Sequence, residues 1–277
     1  MKLGRLLAGE LAKIFGQKGT YVGYGVLVVM VSLVVWGMWR YGPPFEKSMT
    51  ANRDFIVGGK LVTGVAVARF IMEPALLVLV PLLVAAVAGG LFAGEMQRGT
   101  MRTLLCRPVR RWAVATSKYL AGWLHATSLT AFLGLFALGL GLAVFGRGEL
   151  VSFTHGFTIL AEPVALTRLG QAYAIAAVGM CAVASVALLC SQLVQNPLTA
   201  TALTLAFLLV GAVVAAIPYF EWLKPYLLSS HLEAFSQVFH SQVDFAPLRW
   251  PLGCLGVYVV APFALGIIIF RYKDITC

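Results

Sequence analysis

Residues 75–93 read ALLVLVPLLVAAVAGGLFA, and residues 94–118 continue GEMQRGTMRTLLCRPVRRWAVATSK. The first segment carries no charged or amide side chain, and at 1.5 Å per residue it approaches the roughly 20 residues a helix needs to cross a bilayer. The second is crowded with arginine and ends in Lys118. An uninterrupted apolar helix running into a basic segment is what a chain leaving a membrane looks like.

Five more stretches qualify as spans: 21–39, 119–145, 172–194, 198–217 and 252–270. The third of the six, 119–145, is long enough to tilt or to project beyond the hydrocarbon. Composition agrees. The 277-residue chain is 60% hydrophobic and 12% charged, with a mean hydropathy of +0.88, whereas soluble domains carry about 25% charged residues. That deficit excludes an ordinary soluble enzyme, a disordered chain and a nucleic-acid-binding domain. Continuous apolar runs, rather than alternating ten-residue segments, exclude an outer-membrane barrel. The expected fold is an all-α integral membrane protein with one transmembrane domain over residues 1–277. Cysteines at 106, 181, 190, 254 and 277 form no CxxC pair and read as small apolar side chains or free thiols.

The net charge of +10 reports topology, because Lys and Arg in short loops collect on the cytoplasmic side. With six spans both termini share a side. Lys2, Arg5, Lys13 and Lys18, then Arg98, Arg102, Arg107, Arg110, Arg111 and Lys118, then Arg271 and Lys273 fall on that side. Arg40, Lys47, Arg53, Lys60, Arg69, Arg147, Arg168, Lys224 and Arg249 fall on the other. The excess places both termini in the cytoplasm.

The first twenty residues lack the pattern of a cleaved signal peptide. Leu3, Leu7, Leu11, Ile14 and Phe15 recur at helical spacing, with Lys2, Arg5 and Lys13 opposite. This predicts an amphipathic helix over 1–20 lying in the inner interface. Residues 40–74 open with Gly-Pro-Pro at 42–44 and are expected to be partly irregular. Residues 218–251 are too broken to span. With Trp222, Tyr226, Leu227, Leu228, Phe235, Val238 and Phe239 they read as one or two short helices on the outer interface, or as a re-entrant segment.

Ionisable residues inside a bilayer mark function by default. Within the six spans the sequence places only His125, read as a hydrogen-bonding histidine in preference to a proton relay. Ion-coupled carriers need midplane carboxylates or relayed histidines, and a membrane enzyme needs a nucleophile with a base or a metal set. The spans supply neither, so uphill transport would draw its energy from another chain. No GxxxxGK[ST] loop is present, so this chain does not cradle ATP by that route. A separate ATPase would need a docking surface, and residues 94–118 offer one. Thr100 can cap a short helix with Met101, Leu104 and Leu105 on its apolar face, Pro108 ends it, and a second helix leads through Lys118 into the third span. Residue types alone fit equally well a basic turn that fixes orientation and binds anionic headgroups.

Glu95, Gly99-Thr100, Leu104-Leu105, Pro108, Arg110 or Arg111, and Lys118 resemble the E-x-x-x-G-T-x-x-x-L-L-x-x-P-[VL]-x-R segment of the permease subunits of type-two ABC transporters, followed by the lysine that opens their third span. The stretch from Glu10 to Lys13 and on to Thr20-Tyr21 is similar to that family's interfacial helix. Where many members have a second acidic residue, this chain has Met96, Gln97 and Arg98. The resemblance implies that 94–118 holds a coupling helix seated in a groove of the ATPase. Glu95 and Arg98 would orient it, Met101, Leu104 and Leu105 would supply apolar contact, and Arg110 and Arg111 would pair with acidic residues. It further implies a bacterial inner-membrane exporter with two ATPase subunits and a second permease copy or paralogue. ATP and Mg would be held by the ATPase, with no cofactor, metal or catalytic residue in this chain.

Two other readings compete. A membrane-embedded enzyme would use outer residues such as His231, Glu233, His240 and Asp244, whose spacing matches no metal signature. An ATP-independent carrier would exploit helices broken at Pro81, Pro197, Pro218 and Pro262.

Overall fold

The computed structural model describes residues 3–42, 63–101, 110–152, 158–239 and 246–272. Six of its helices are long and apolar enough to cross a membrane, and the chain is a multi-pass membrane protein. A short helix α1 (Leu3–Gly16) precedes α2 (Lys18–Tyr41). Then come α3 (Gly64–Gln97), α4 (Arg111–Phe145), α5 (Glu162–Leu193), α6 (Pro197–Ala216) and, after a run of short helices numbered through α7 (Leu228–His231), α8 (Ala246–Tyr272).

The helices outrun the apolar stretches that reveal them. α3 begins at Gly64, well before residue 75, so part of the segment expected to be irregular is helical. Pro74 lies inside it and is accommodated by a π-helical turn at Ala75–Leu79, which absorbs the missing N–H without ending the helix. α4 spans 35 residues, about 52 Å of helix. This exceeds the roughly 30 Å hydrocarbon thickness, as its apolar length suggested. One exception to the all-α expectation is a short antiparallel hairpin pairing β1 (Leu150–Ser152) with β2 (Thr158–Leu160).

α5 is the central helix, packed by α3, α4, α6, α8 and the segment Leu232–Phe239. Its buried face is built of small residues, including Ala172, Ala176, Gly179, Ala182, Ala184, Ser185, Ala187 and Ser191. Small side chains let backbones approach where lipid gives helices no hydrophobic reason to associate. Hydroxyls then stitch the bundle. Ser191 Oγ accepts from the backbone N–H of Ala93 at 2.9 Å, and Trp123 Nε1 donates to Ser185 Oγ at 2.8 Å. Two backbones meet glycine on glycine, where a Cβ on Gly64 would lie 2.5 Å from the backbone N of Leu142 and one on Gly141 would lie 2.7 Å from Gly64 O.

The segment after α6 is broken and packs against the bundle. It folds as short helices at Pro218–Phe220, Lys224–Tyr226, Leu228–His231 and Leu232–Phe239. Leu228, Leu232, Phe235, Val238 and Phe239 are buried, capping one end of α5.

Candidate functional site

At the opposite end of the bundle three elements converge: α1, the C-terminal end of α3 and the first turns of α4. α1 presents its buried stripe as Leu6, Glu10 and Ile14, four residues apart and hence on one helix face. Leu7 and Leu11 pack at the edge of the core, Leu3 is half-buried, and Phe15 and Lys13 are exposed. The face turned into the bundle is therefore not the whole apolar stripe read from sequence, and its centre is a glutamate.

That glutamate belongs to a knot of four charges. Lys118 is fully buried and its Nζ lies 3.0 Å from Glu10 Oε2, 2.9 Å from Glu95 Oε1 and 3.0 Å from Leu91 O. An ammonium has three N–H donors, and all three are used. The Phe92 ring adds a face 5.5 Å from the same nitrogen. Lys13 Nζ reaches Glu10 Oε1 at 3.0 Å and Glu95 Oε1 at 2.8 Å. Two carboxylates and two ammoniums make a neutral set, which is the condition for burying charge. Burial works against the charge on Lys13, but the hydrogen bonds to Glu95 and Glu10 and their attraction outweigh it and hold its pKa above the ordinary 10.5.

Beyond Glu95 the helix ends. Arg98 Nε donates to Gly94 O at 3.0 Å, and Gly99 takes a left-handed φ of 68°, the usual glycine exit from a helix. Thr100 Oγ1 donates back to Glu95 O at 3.3 Å and so fastens the joint; the turn it was expected to cap runs into residues outside the described ones. Met101 is buried and Glu95 is 6% exposed. Arg98, Gly99 and Thr100 are exposed. Leu104, Leu105 and Pro108 lie outside the described residues. Arg110 and Arg111 are exposed at the start of α4, and Arg111 Nη1 donates to Arg271 O at 3.4 Å, joining that start to the end of α8.

The knot shows what sequence reasoning missed. From sequence, Lys13 reads only as a residue opposite the apolar positions of the first helix, and Glu10 only as part of its resemblance to an interfacial helix. Two signals were available: Glu10 sits four residues from both Leu6 and Ile14, and Lys118 opens a helix whose predecessor closes on Glu95.

The other candidates come out plainly. His125 is buried between the rings of Phe15 and Tyr24, with centroids 6.3 and 6.2 Å away. This is an aromatic setting, with no hydrogen-bond partner for Nδ1 among the described residues. His231 Nε2 lies 2.9 Å from Pro225 O and Glu233 is exposed, while His240 and Asp244 lie outside the described residues. Among the described residues no three His, Cys, Asp or Glu side chains group as metal ligands.

Residues 25–276 match the family described as "Protein of unknown function (DUF2705)". The chain belongs to that family. It is also similar to the "Uncharacterized protein YhcI" of Bacillus subtilis (strain 168), with 27% identity over 228 residues that cover 77% of this chain and 70% of the relative. The family match takes in Glu95 and Lys118 but begins after α1, so Glu10 and Lys13 lie outside it.

Proposed function

We propose that this chain is the membrane subunit of an ABC transporter, an exporter driven by a separately encoded ATPase that engages residues 94–118. The four-charge knot carries this reading. Residues 94–118 leave α3 at Gly99 and rejoin at α4 through Lys118, and the knot ties both ends of that segment to α1. A push on the segment reaches three helices at once, which is what a rigid-body rocking mechanism requires. Autonomous pumping has little to work with, because the apolar middles of the spans carry no carboxylate and the buried charges gather at their ends. In this reading the termini and the knot are cytoplasmic, the membrane is the bacterial inner membrane, and ATP and Mg are bound by the partner. Two ATPase subunits and a second permease copy or paralogue complete the transporter.

The test is co-purification of the tagged full chain with an ATP-hydrolysing subunit, lost in the double variant Leu104→Asp, Leu105→Asp while the bundle itself still purifies as a single species. Association unchanged by the double substitution refutes the coupling assignment.

A further inference from the structure

Beside the knot lies a cavity of about 410 Å³. Val87, Gly90 and Leu91 form its apolar part, and Lys13, Gln17 and Arg98 its polar part. A second, more open hollow of about 460 Å³ shares Lys13, Gln17, Glu95 and Arg98. From Gly90 to Arg98 is about 12 Å along α3, so the cavity bridges the apolar span and the polar end of the bundle. That is the depth at which lipid headgroups lie.

Its chemistry is specific. Glu95 lines both hollows and is 6% exposed, and its Oε1 takes both lysines. Its Oε2 has no hydrogen-bond partner among the described residues. A buried carboxylate oxygen without a donor is costly and therefore uncommon. A metal cation is a poor candidate to fill the gap, since two ammoniums already lie 2.8 and 2.9 Å from the same carboxylate and would repel it. A hydroxyl or a primary ammonium that donates one hydrogen bond fits. Lys13 uses two of its three N–H donors within the knot and its side chain is 47% exposed, leaving one donor for an outside acceptor. Arg98 adds a positive charge that the neutral knot does not balance.

We propose that this cavity binds the headgroup of a glycerophospholipid. The phosphate lies against Arg98 and Lys13, the headgroup hydroxyl or ammonium donates to Glu95 Oε2, and the glycerol end passes Gly90 and Leu91. Phosphatidylglycerol and phosphatidylethanolamine carry the required donor, and phosphatidylcholine does not. Because the site is built from the cavity and the orphan oxygen, it stands independently of the transport reading. Lipid held there braces the knot from its open side.

Native mass spectrometry of the full chain in mild detergent reads the site directly. The wild type is expected to retain one added phosphatidylglycerol or phosphatidylethanolamine per chain, and phosphatidylcholine at least about tenfold more weakly, the worth of one hydrogen bond to a charged group. Arg98→Gln weakens retention by a similar factor from the exposed side. Gly90→Leu blocks the cavity without touching a charge, since a side chain there starts in open space. Should Gly90→Leu fail to purify, Arg98→Gln carries the test alone. Equal retention of phosphatidylcholine, retention unaffected by the variants that purify, or displacement by millimolar inorganic phosphate each overturns the proposal; the last would mark a soluble-phosphate site.

Discussion

Replacing Lys118 with methionine removes the one fully buried cation of the knot while keeping a side chain of similar length. Three donors vanish together, those to Glu10, Glu95 and the Leu91 carbonyl. Glu10 and Glu95, 4% and 6% exposed, are left with Lys13 as the one counter-charge they share among the described residues. Removing one partner from a buried ion network costs about 3–5 kcal/mol, because the surviving charge stays buried and unpaired. In a chain of this size about 2–4 °C of melting temperature accompanies each kcal/mol, so the loss is on the order of 10 °C. Lys13, half-exposed, is worth far less; its replacement by methionine costs about 0–1 kcal/mol, as exposed pairs do. Thermal unfolding in detergent, followed by tryptophan fluorescence, measures both. The decisive arm is the double variant Lys118→Met, Glu10→Gln. It restores one carboxylate to one ammonium and recovers at least half of the single variant's loss. A Lys118→Met protein within about 1 kcal/mol of wild type, or a Glu10→Gln change that adds to the loss, refutes the knot as a buried, mutually compensating network.

Gly64→Val places a branched side chain against the backbone of Leu142 and is expected to destabilise by about 1–3 kcal/mol through forced separation of α3 from α4. Gly139→Val on α4, which meets nothing, is the control in the same melting assay. The pH dependence of Lys13 has a fixed sign. Its folded-state pKa is raised, so its contribution is fully present below its unfolded value near 10.5 and is lost as pH rises through the folded value. Lys13→Arg, which does not deprotonate, should therefore lose less melting temperature than wild type across an alkaline scan, and parallel curves would contradict the assignment.

The number of spans and the basic end of α3 were legible because burying apolar length in lipid leaves a continuous compositional trace. α3 from Gly64 to Pro74 was not legible, since Arg69 and Glu73, an i,i+4 pair at 3.3 Å, and Pro74 read as loop chemistry. The π turn that accommodates the proline has no sequence signature. That 218–239 packs on α5 was not legible, because its apolar residues are as suited to a lipid interface as to a helix of the bundle. At the site, Glu95, Gly99 and Lys118 were visible by type and spacing, but what they bond to was not. The roles of Lys13 and Glu10 were not legible because Glu95 and Lys118, which complete their pairing, lie more than eighty residues away in sequence, and periodicity on one helix carries no information about the charge on another.

Why such a joint should be built from charges follows from what apolar packing cannot do. Around the knot, α1 packs on α4, burying Leu6 and Ile14 with Leu7 and Leu11 at the edge of the core. Contacts of that kind are non-directional, so two ridges can slide by a rotamer at small cost. Four charges within hydrogen-bond reach tolerate no such slip: a shift of a turn would strand Glu10 or Lys118 without a partner in a place water does not reach. The knot therefore fixes the register of α1 against α3 and α4. Immediately beyond it, Gly99 at φ 68° lets the chain turn out of α3 without strain. On the proposed coupling, this clamp and the turn that Thr100 fastens beyond it would pass a displacement of the outgoing segment on to whole helices. An apolar clamp would dissipate the same displacement as sliding.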